Sequence, residues 1–271
     1  MLQESLDFRA EADRLHEFLT TLAPEDWQKP TGFLGWTAWD VVAHLHYFDL
    51  VSKLSLEGEA AFGVKRDALI ELLKQRRTNQ EIAREELGGL APEALLSVWR
   101  ETYQQLTDEL SASDPKRRLP WFGPDMGVRM FTTARYMETW SHSQEIYDLM
   151  RVSRVYDDRI RNIVAIGFKT FGWTFINRRE EVPGPPPYVH LEAPSGAIWE
   201  YGEPSETEVI RGTAVDFCHV VTQGRNIADV PLAVKGPIAN QWMSIAQCFA
   251  GGPVDPPKPG TRGPAAAGEA D

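Results

Sequence analysis

Ala134-Arg-Tyr-Met-Glu-Thr-Trp-Ser-His-Ser-Gln-Glu-Ile-Tyr-Asp148 holds Glu138 and His142 four residues apart, in a run that reads as helix. At that spacing two helical side chains lie on one face, with β-carbons roughly 6 Å apart. A carboxylate and an imidazole so placed can grip one divalent metal if a third ligand arrives from elsewhere. The run lacks the HExxH spacing of a zincin protease. Arg135, three residues before Glu138, offers a competing account in which the carboxylate only makes a surface salt bridge.

The third ligand is sought among the other histidines. His16 sits among charges on a polar helix face, and His190 and His219 are isolated near the C-terminus; for these three the structural reading leads. His44 and His46 lie on one helix and point about 200° apart, so both cannot face one core. His44 aligns with Val41, Leu45 and Phe48, which favours it as the inward one. An inward carboxylate such as Glu138 is costly in a bundle unless it is paired or metal-bound.

Apolar spacing predicts a helix over 3–22, closed by Pro24, and a loop over 27–35. Thr37-Ala-Trp-Asp40 has the form of a capping box, with Asp in the place of Glu, and opens a helix to about Glu57. Gly58 and Gly63 are read as breaks, followed by one helix over 65–87 and another from Pro92 to about Leu110. The connection over 111–126, with Trp121 and Phe122, has the length of a functional loop. Helices over 132–150 and 157–177 follow. The proline-rich Glu180–Pro187 stretch then reads as a linker. Beyond it come strands near 188–191, 197–201, 207–210 and 231–235, with helices over 214–222 and 237–249. The division expected is a helical domain over 1–179, an α+β domain over 180–250 and a disordered tail over 251–271.

The 271 residues carry a net charge of −11, from 28 basic and 39 acidic side chains. That speaks against a sequence-independent grip on nucleic acid and against anionic membranes. No apolar signal segment or run of about eighteen apolar residues is present, so a cytoplasmic protein is expected. Cys218 and Cys248 sit in apolar surroundings and read first as buried free thiols, with a disulfide or a catalytic thiol as alternatives.

Gly35-Trp-Thr-Ala-Trp-Asp-Val-Val-Ala-His-Leu45, followed by Arg135-Tyr-Met-Glu-Thr-Trp-Ser-His142, resembles the DinB-type metal-binding superfamily. More narrowly it resembles the mycothiol-dependent maleylpyruvate isomerase family, over nearly the whole chain. Val221-Thr-Gln-Gly-Arg225 and Trp242 to Gly251 look like recurrent segments of that family's C-terminal module. The resemblance implies an α+β protein: an N-terminal DinB-type four-helix bundle with extra helices, and a small C-terminal α/β, sterol-carrier-like module. It implies that His44, Glu138 and His142 hold a divalent metal, zinc first and nickel second. Arg225 falls where relatives carry an arginine facing the site, which makes it the candidate catalytic residue. Glu145 stands where the family commonly has Asp, three residues after the second His, and reads either as an acceptor that orients His142 or as a solvated side chain.

The expectation that follows is a metal-dependent enzyme, monomer or homodimer, acting on a small electrophilic substrate. A low-molecular-weight, mycothiol-like thiol serves as cofactor or co-substrate, in isomerisation or S-transfer. A thiol-independent Lewis-acid enzyme and a non-catalytic carrier of an apolar ligand are the alternatives.

Overall fold

The computed structural model describes residues 1–263. Contacts divide the chain into two compact units, Met1–Ile146 and Tyr147–Asp271. The protein is α+β, as the sequence implies.

The first unit is helical. Helix α1 (Gln3–Leu19) buries Phe8, Ala12, Leu15 and Leu19, the stripe that its 3–4 spacing predicts. Helix α2 (Ala38–Glu57) opens on the expected capping box. The Thr37 hydroxyl accepts from the Asp40 N–H, and the Asp40 carboxylate accepts from the Thr37 N–H at 2.9 Å. Gly58, with φ 120°, ends it. The single helix expected over 65–87 is two: α3 (Glu59–Lys74) and α4 (Asn79–Leu87). Arg76 turns the chain at φ 64°, and Thr78 caps α4 through a second capping box with Glu81. Gly63, read as a break, lies inside α3. Helix α5 (Pro92–Ala112) begins on its proline, where the absent N–H costs nothing.

The 111–126 connection is not structureless. Strands β1 (Arg118–Leu119) and β2 (Met126–Gly127) pair antiparallel and present Trp121 and Phe122 between them. Helix α6 (Val128–Leu149) follows at once, earlier than Thr132, because the Val128 N–H donates to the Arg117 carbonyl of the ribbon.

Long helices α1, α2, α5 and α6 form the bundle. α5 packs on both α1 and α2. α6 is tied to α2 by buried Arg135, which donates to Asp49 at 2.9 and 3.1 Å, and to α1 by Arg129, which pairs with Glu4 at 2.7 Å. Helix α4 hangs on the start of α2: Arg84 and Gln80 donate to Asp40 at 2.8 and 2.9 Å.

In the second unit a short 3₁₀ turn leads to α7 (Arg161–Lys169) and α8 (Phe171–Asn177), broken at Thr170 rather than continuous over 157–177. By contacts α7 belongs with the C-terminal elements, upstream of the proline-rich stretch at which composition places the boundary. Gly167 explains the fit. A β-carbon there would stand 2.8 Å from a Val221 methyl and 3.1 Å from the Phe217 ring. Strands β3 (Tyr188–Glu192), β4 (Ile198–Tyr201), β5 (Val209–Thr213) and β6 (Ala233–Lys235) form one sheet in the order β4-β3-β5-β6. β3 and β5 are parallel; the other pairs are antiparallel. Helices α9 (Ala214–Val221) and α10 (Pro237–Ile245) complete the unit. Its core gathers Val189, Leu191, Ile210, Phe217 and Trp242. Cys218 and Cys248 are buried there and are not joined by a disulfide.

Residues 251–263 form no helix or strand. Hydrogen bonds hold them, from Asn226 to the Pro257 carbonyl at 2.7 Å and from the Gly260 N–H to Asp229 at 2.9 Å. The rest of the tail expected to be disordered, 264–271, lies outside the described residues. Among the described residues no helix is long and apolar enough to cross a membrane.

Asp40 carries a testable charge. Burial pushes its carboxyl up, but hydrogen bonds from Arg84, Thr37 and Gln80 outweigh that and hold it below the ordinary Asp range. A depressed folded pKa stabilises the protein above the unfolded pKa, and that stabilisation is lost as pH falls through the folded one. Asp40→Asn is therefore expected to lower stability by about 1–2 kcal/mol at neutral pH. In urea unfolding the gap to the native chain should close in acid; a gap independent of pH contradicts this account.

Candidate metal centre

α2 contributes His44, and α6 contributes Glu138 and His142 one turn apart. The expected triad forms. Both imidazoles aim Nε2 at the same carboxylate oxygen, Glu138 Oε2, each at 3.4 Å, and the ligand atoms of all three lie within 4.8 Å of one another. A separation of 3.4 Å is long for a hydrogen bond between these groups. It suits donors that share an ion: metal bonds of about 2.0–2.1 Å in a tetrahedron place neighbouring donors roughly 3.4 Å apart. The donor set is two imidazole nitrogens and one carboxylate oxygen, which zinc accepts.

The electrostatics favour the same use. Burial pushes the His44 pKa down to about 4, against the pull of Glu138, so at neutral pH the imidazole keeps its lone pair for a metal. Burial also pushes the Glu138 carboxyl up, but the two imidazoles pull harder and hold it below the ordinary carboxylate range. The cluster is not sealed: the Glu138 side chain is 23% exposed, against 11% for His142 and 9% for His44.

The competing salt bridge is not made. Arg135 turns inward and donates through Nε and Nη2 to Asp49, which also accepts from the Trp99 indole N–H at 3.1 Å. Arg135 is 3% exposed and Asp49 not at all. Burial pushes the Asp49 carboxyl up, against the pull of Arg135 and Trp99. Glu138 is thereby left to the histidines. His44 and His46 diverge as the helix requires, yet both are buried. α2 is the central helix, covered by α5 on one side and by α3 and α4 elsewhere, so it lacks an outward face over 41–49. Burial alone pushes the His46 pKa down to about 4.

Aromatic rings enclose the imidazoles. The 31–36 loop closes with the Thr31 N–H donating to the Trp36 carbonyl at 2.7 Å. It turns through Leu34 and Gly35 at φ 51° and 71°. Trp36 stacks on His142, 4° from parallel with centroids 5.5 Å apart, and Phe33 meets the same ring edge-on at 5.1 Å. His44 meets Trp36 at 5.1 Å and Phe48 at 4.8 Å, and Phe48 is backed by Trp121 and Phe122 at 6.5 and 6.1 Å. Sequence reasoning named Trp121 and Phe122 but missed Phe33 and Trp36 as neighbours of the site. The signal was available in Gly32-Phe33-Leu34-Gly35-Trp36, two glycines each followed by an aromatic just before a helix cap.

The remaining candidates fall elsewhere. Glu145 is buried, 2% exposed, rather than solvated. Arg225 belongs to the second unit, where it donates to Asp148 at 2.8 Å and to the Gly224 carbonyl at 2.8 Å. His219 is also buried there, 3.2 Å from the Tyr156 hydroxyl; burial and nearby arginines push its pKa well down. His16 and His190 are half-buried and outside the triad.

Residues 8–147 match the model of the mycothiol maleylpyruvate isomerase N-terminal domain. Uncharacterised proteins from two strains of Mycobacterium tuberculosis are 36% identical over 251 residues, which cover 91% of this chain and 95% of theirs. Among solved structures, that of the mycothiol-dependent maleylpyruvate isomerase superposes with a TM-score of 0.52 at 13% identity, over 80% of this chain and 87% of that one. A histidine-to-alanine mutant of that enzyme gives 0.51 at 14%, with the same coverage. The fold of this chain is that of the isomerase.

Asp49→Ala would strand the Arg135 guanidinium in the bundle. A loss of about 3–5 kcal/mol is expected, read as the urea midpoint. A loss below about 1 kcal/mol would show the ion pair to be incidental.

Proposed function

The chain belongs to the mycothiol maleylpyruvate isomerase family, and on that premise we propose that it is a divalent-metal-dependent enzyme which uses a low-molecular-weight thiol on a small electrophilic substrate, by isomerisation or S-transfer. The observation that carries this reading is the convergence of His44 and His142 on one oxygen of Glu138 at equal distances of 3.4 Å. Three protein donors leave coordination open, the mark of a catalytic rather than a structural site. Zinc suits the donors best and nickel second. When bound, the ion would supply the positive charge that lets a thiol ionise at neutral pH.

The chain's own residues prepare the place. Burial keeps His44 neutral, and Glu138 brings the one full negative charge. Trp36 fixes the plane of the His142 ring by stacking. Phe48, Trp121 and Phe122 exclude water on the His44 side, which strengthens every charge interaction within. Mycothiol, the thiol named for the family, is the proposed co-substrate. Arg225 is read as holding a substrate oxygen; sharing its guanidinium with Asp148 leaves it less than a full free charge. Two buried cysteines without a disulfide accord with a cytoplasmic setting.

Elemental analysis of the purified full chain should find about one zinc or nickel per chain, falling by at least about tenfold in Glu138→Ala. A chain that is metal-free and cannot be reloaded, or a Glu138→Ala variant that keeps its metal, contradicts the reading. With metal in place, turnover should require added thiol; full activity without one would retain the metal and remove the thiol.

A further inference from the structure

What the first unit turns toward the two imidazoles is aromatic. Phe33 and Trp36 lie against His142, and Phe48, with Trp121 and Phe122 behind it, lies against His44. Trp36 and Phe48 are buried, whereas Phe33, Trp121 and Phe122 are half-buried and keep ring surface for a ligand. The opening of the cluster is at Glu138, its most exposed member.

The arginines of the same segments are engaged elsewhere. Arg135 is committed to Asp49, Arg129 to Glu4, Arg117 to the Leu56 carbonyl and Arg118 to the Asp125 carbonyl. The 31–37 loop has no cationic residue, and Lys53 on α2 reaches Gln105 and Glu109 on α5. A carboxylate packed against these rings, away from the ion, would lose its water without gaining a guanidinium from this unit. An apolar, flat group would gain burial and ring contacts instead.

Resting on the reading of the triad as a metal site, we infer that the part of the substrate packed on these rings is uncharged and apolar, aromatic by preference. The aromatic lips at Phe33 and at Trp121-Phe122 are the specificity-determining groups.

The test uses the full chain loaded with zinc and two thiol probes that share a sulfur and differ in what it carries: benzyl mercaptan and mercaptoacetate. Each affinity, from calorimetric titration, is normalised to that probe's affinity for aqueous zinc. Benzyl mercaptan should bind at least about tenfold more tightly. Phe33→Ala and Phe122→Ala should each weaken it by about threefold or more and leave mercaptoacetate unchanged. Phe122→Leu, which keeps apolar bulk and the fold, should give an intermediate loss. Zinc content is measured first on the same sample. A chain that takes no zinc overturns the reading of the triad and this inference with it. A zinc-loaded chain that prefers mercaptoacetate, or is indifferent to all three substitutions, overturns the inference alone.

Discussion

A buried ion pair sets the register on which the candidate centre depends. Asp49 of α2 accepts from Arg135 of α6 and from Trp99 of α5, so one carboxylate binds three bundle helices at a point without solvent. Five residues before Asp49 stands His44, and three residues after Arg135 stands Glu138. The two contacts run in opposite senses along the chain, so α2 and α6 are antiparallel there, fixed at two heights. Sliding one helix against the other would break the ion pair and part the triad together. Burying such a pair adds little net stability, but leaving either partner alone is expensive, and that asymmetry makes it a good register mark.

Around that mark the bundle handles polarity unevenly. The Asp49 node is closed and complete, with its donors supplied from within. The His44–Glu138–His142 cluster is half-complete: Glu138 serves two imidazoles at distances too long for good hydrogen bonds, and its edge is open. Where one cluster satisfies itself, the other is the cluster we propose as the metal site. The aromatic rings on both flanks keep water away and lower the local dielectric, so a charge introduced there would be felt strongly.

Much of this was legible from residue order. The four-residue spacing of Glu138 and His142 placed both on one face, and the Thr37–Asp40 cap located the helix that carries His44. Several features were not legible, for physical reasons. Arg135 and Asp49 are charged residues, so periodicity assigned neither to the core; only the fold brings them together. Over 41–49 α2 is covered all round, which erases the two-faced pattern that would have sorted His44 from His46. The break between α3 and α4 rests on the backbone of Arg76 at positive φ, a conformation its side chain does not announce. The ribbon around Trp121 is only two residues per strand, too short for alternation to register. Ring contacts of Phe33 and Trp36 with His142 join segments remote in sequence, which no local pattern encodes.

The central claim is that residues 44, 138 and 142 share one ion and leave room beside it. X-ray absorption at the zinc edge of the loaded protein tests it most directly. The account predicts two imidazoles and one carboxylate with light-atom distances of about 2.0–2.1 Å, and a sulfur at about 2.3 Å on addition of a thiol. It also predicts the loss of one imidazole signal in His44→Ala. A shell closed by four protein ligands, or an imidazole count unmoved by that substitution, would contradict it.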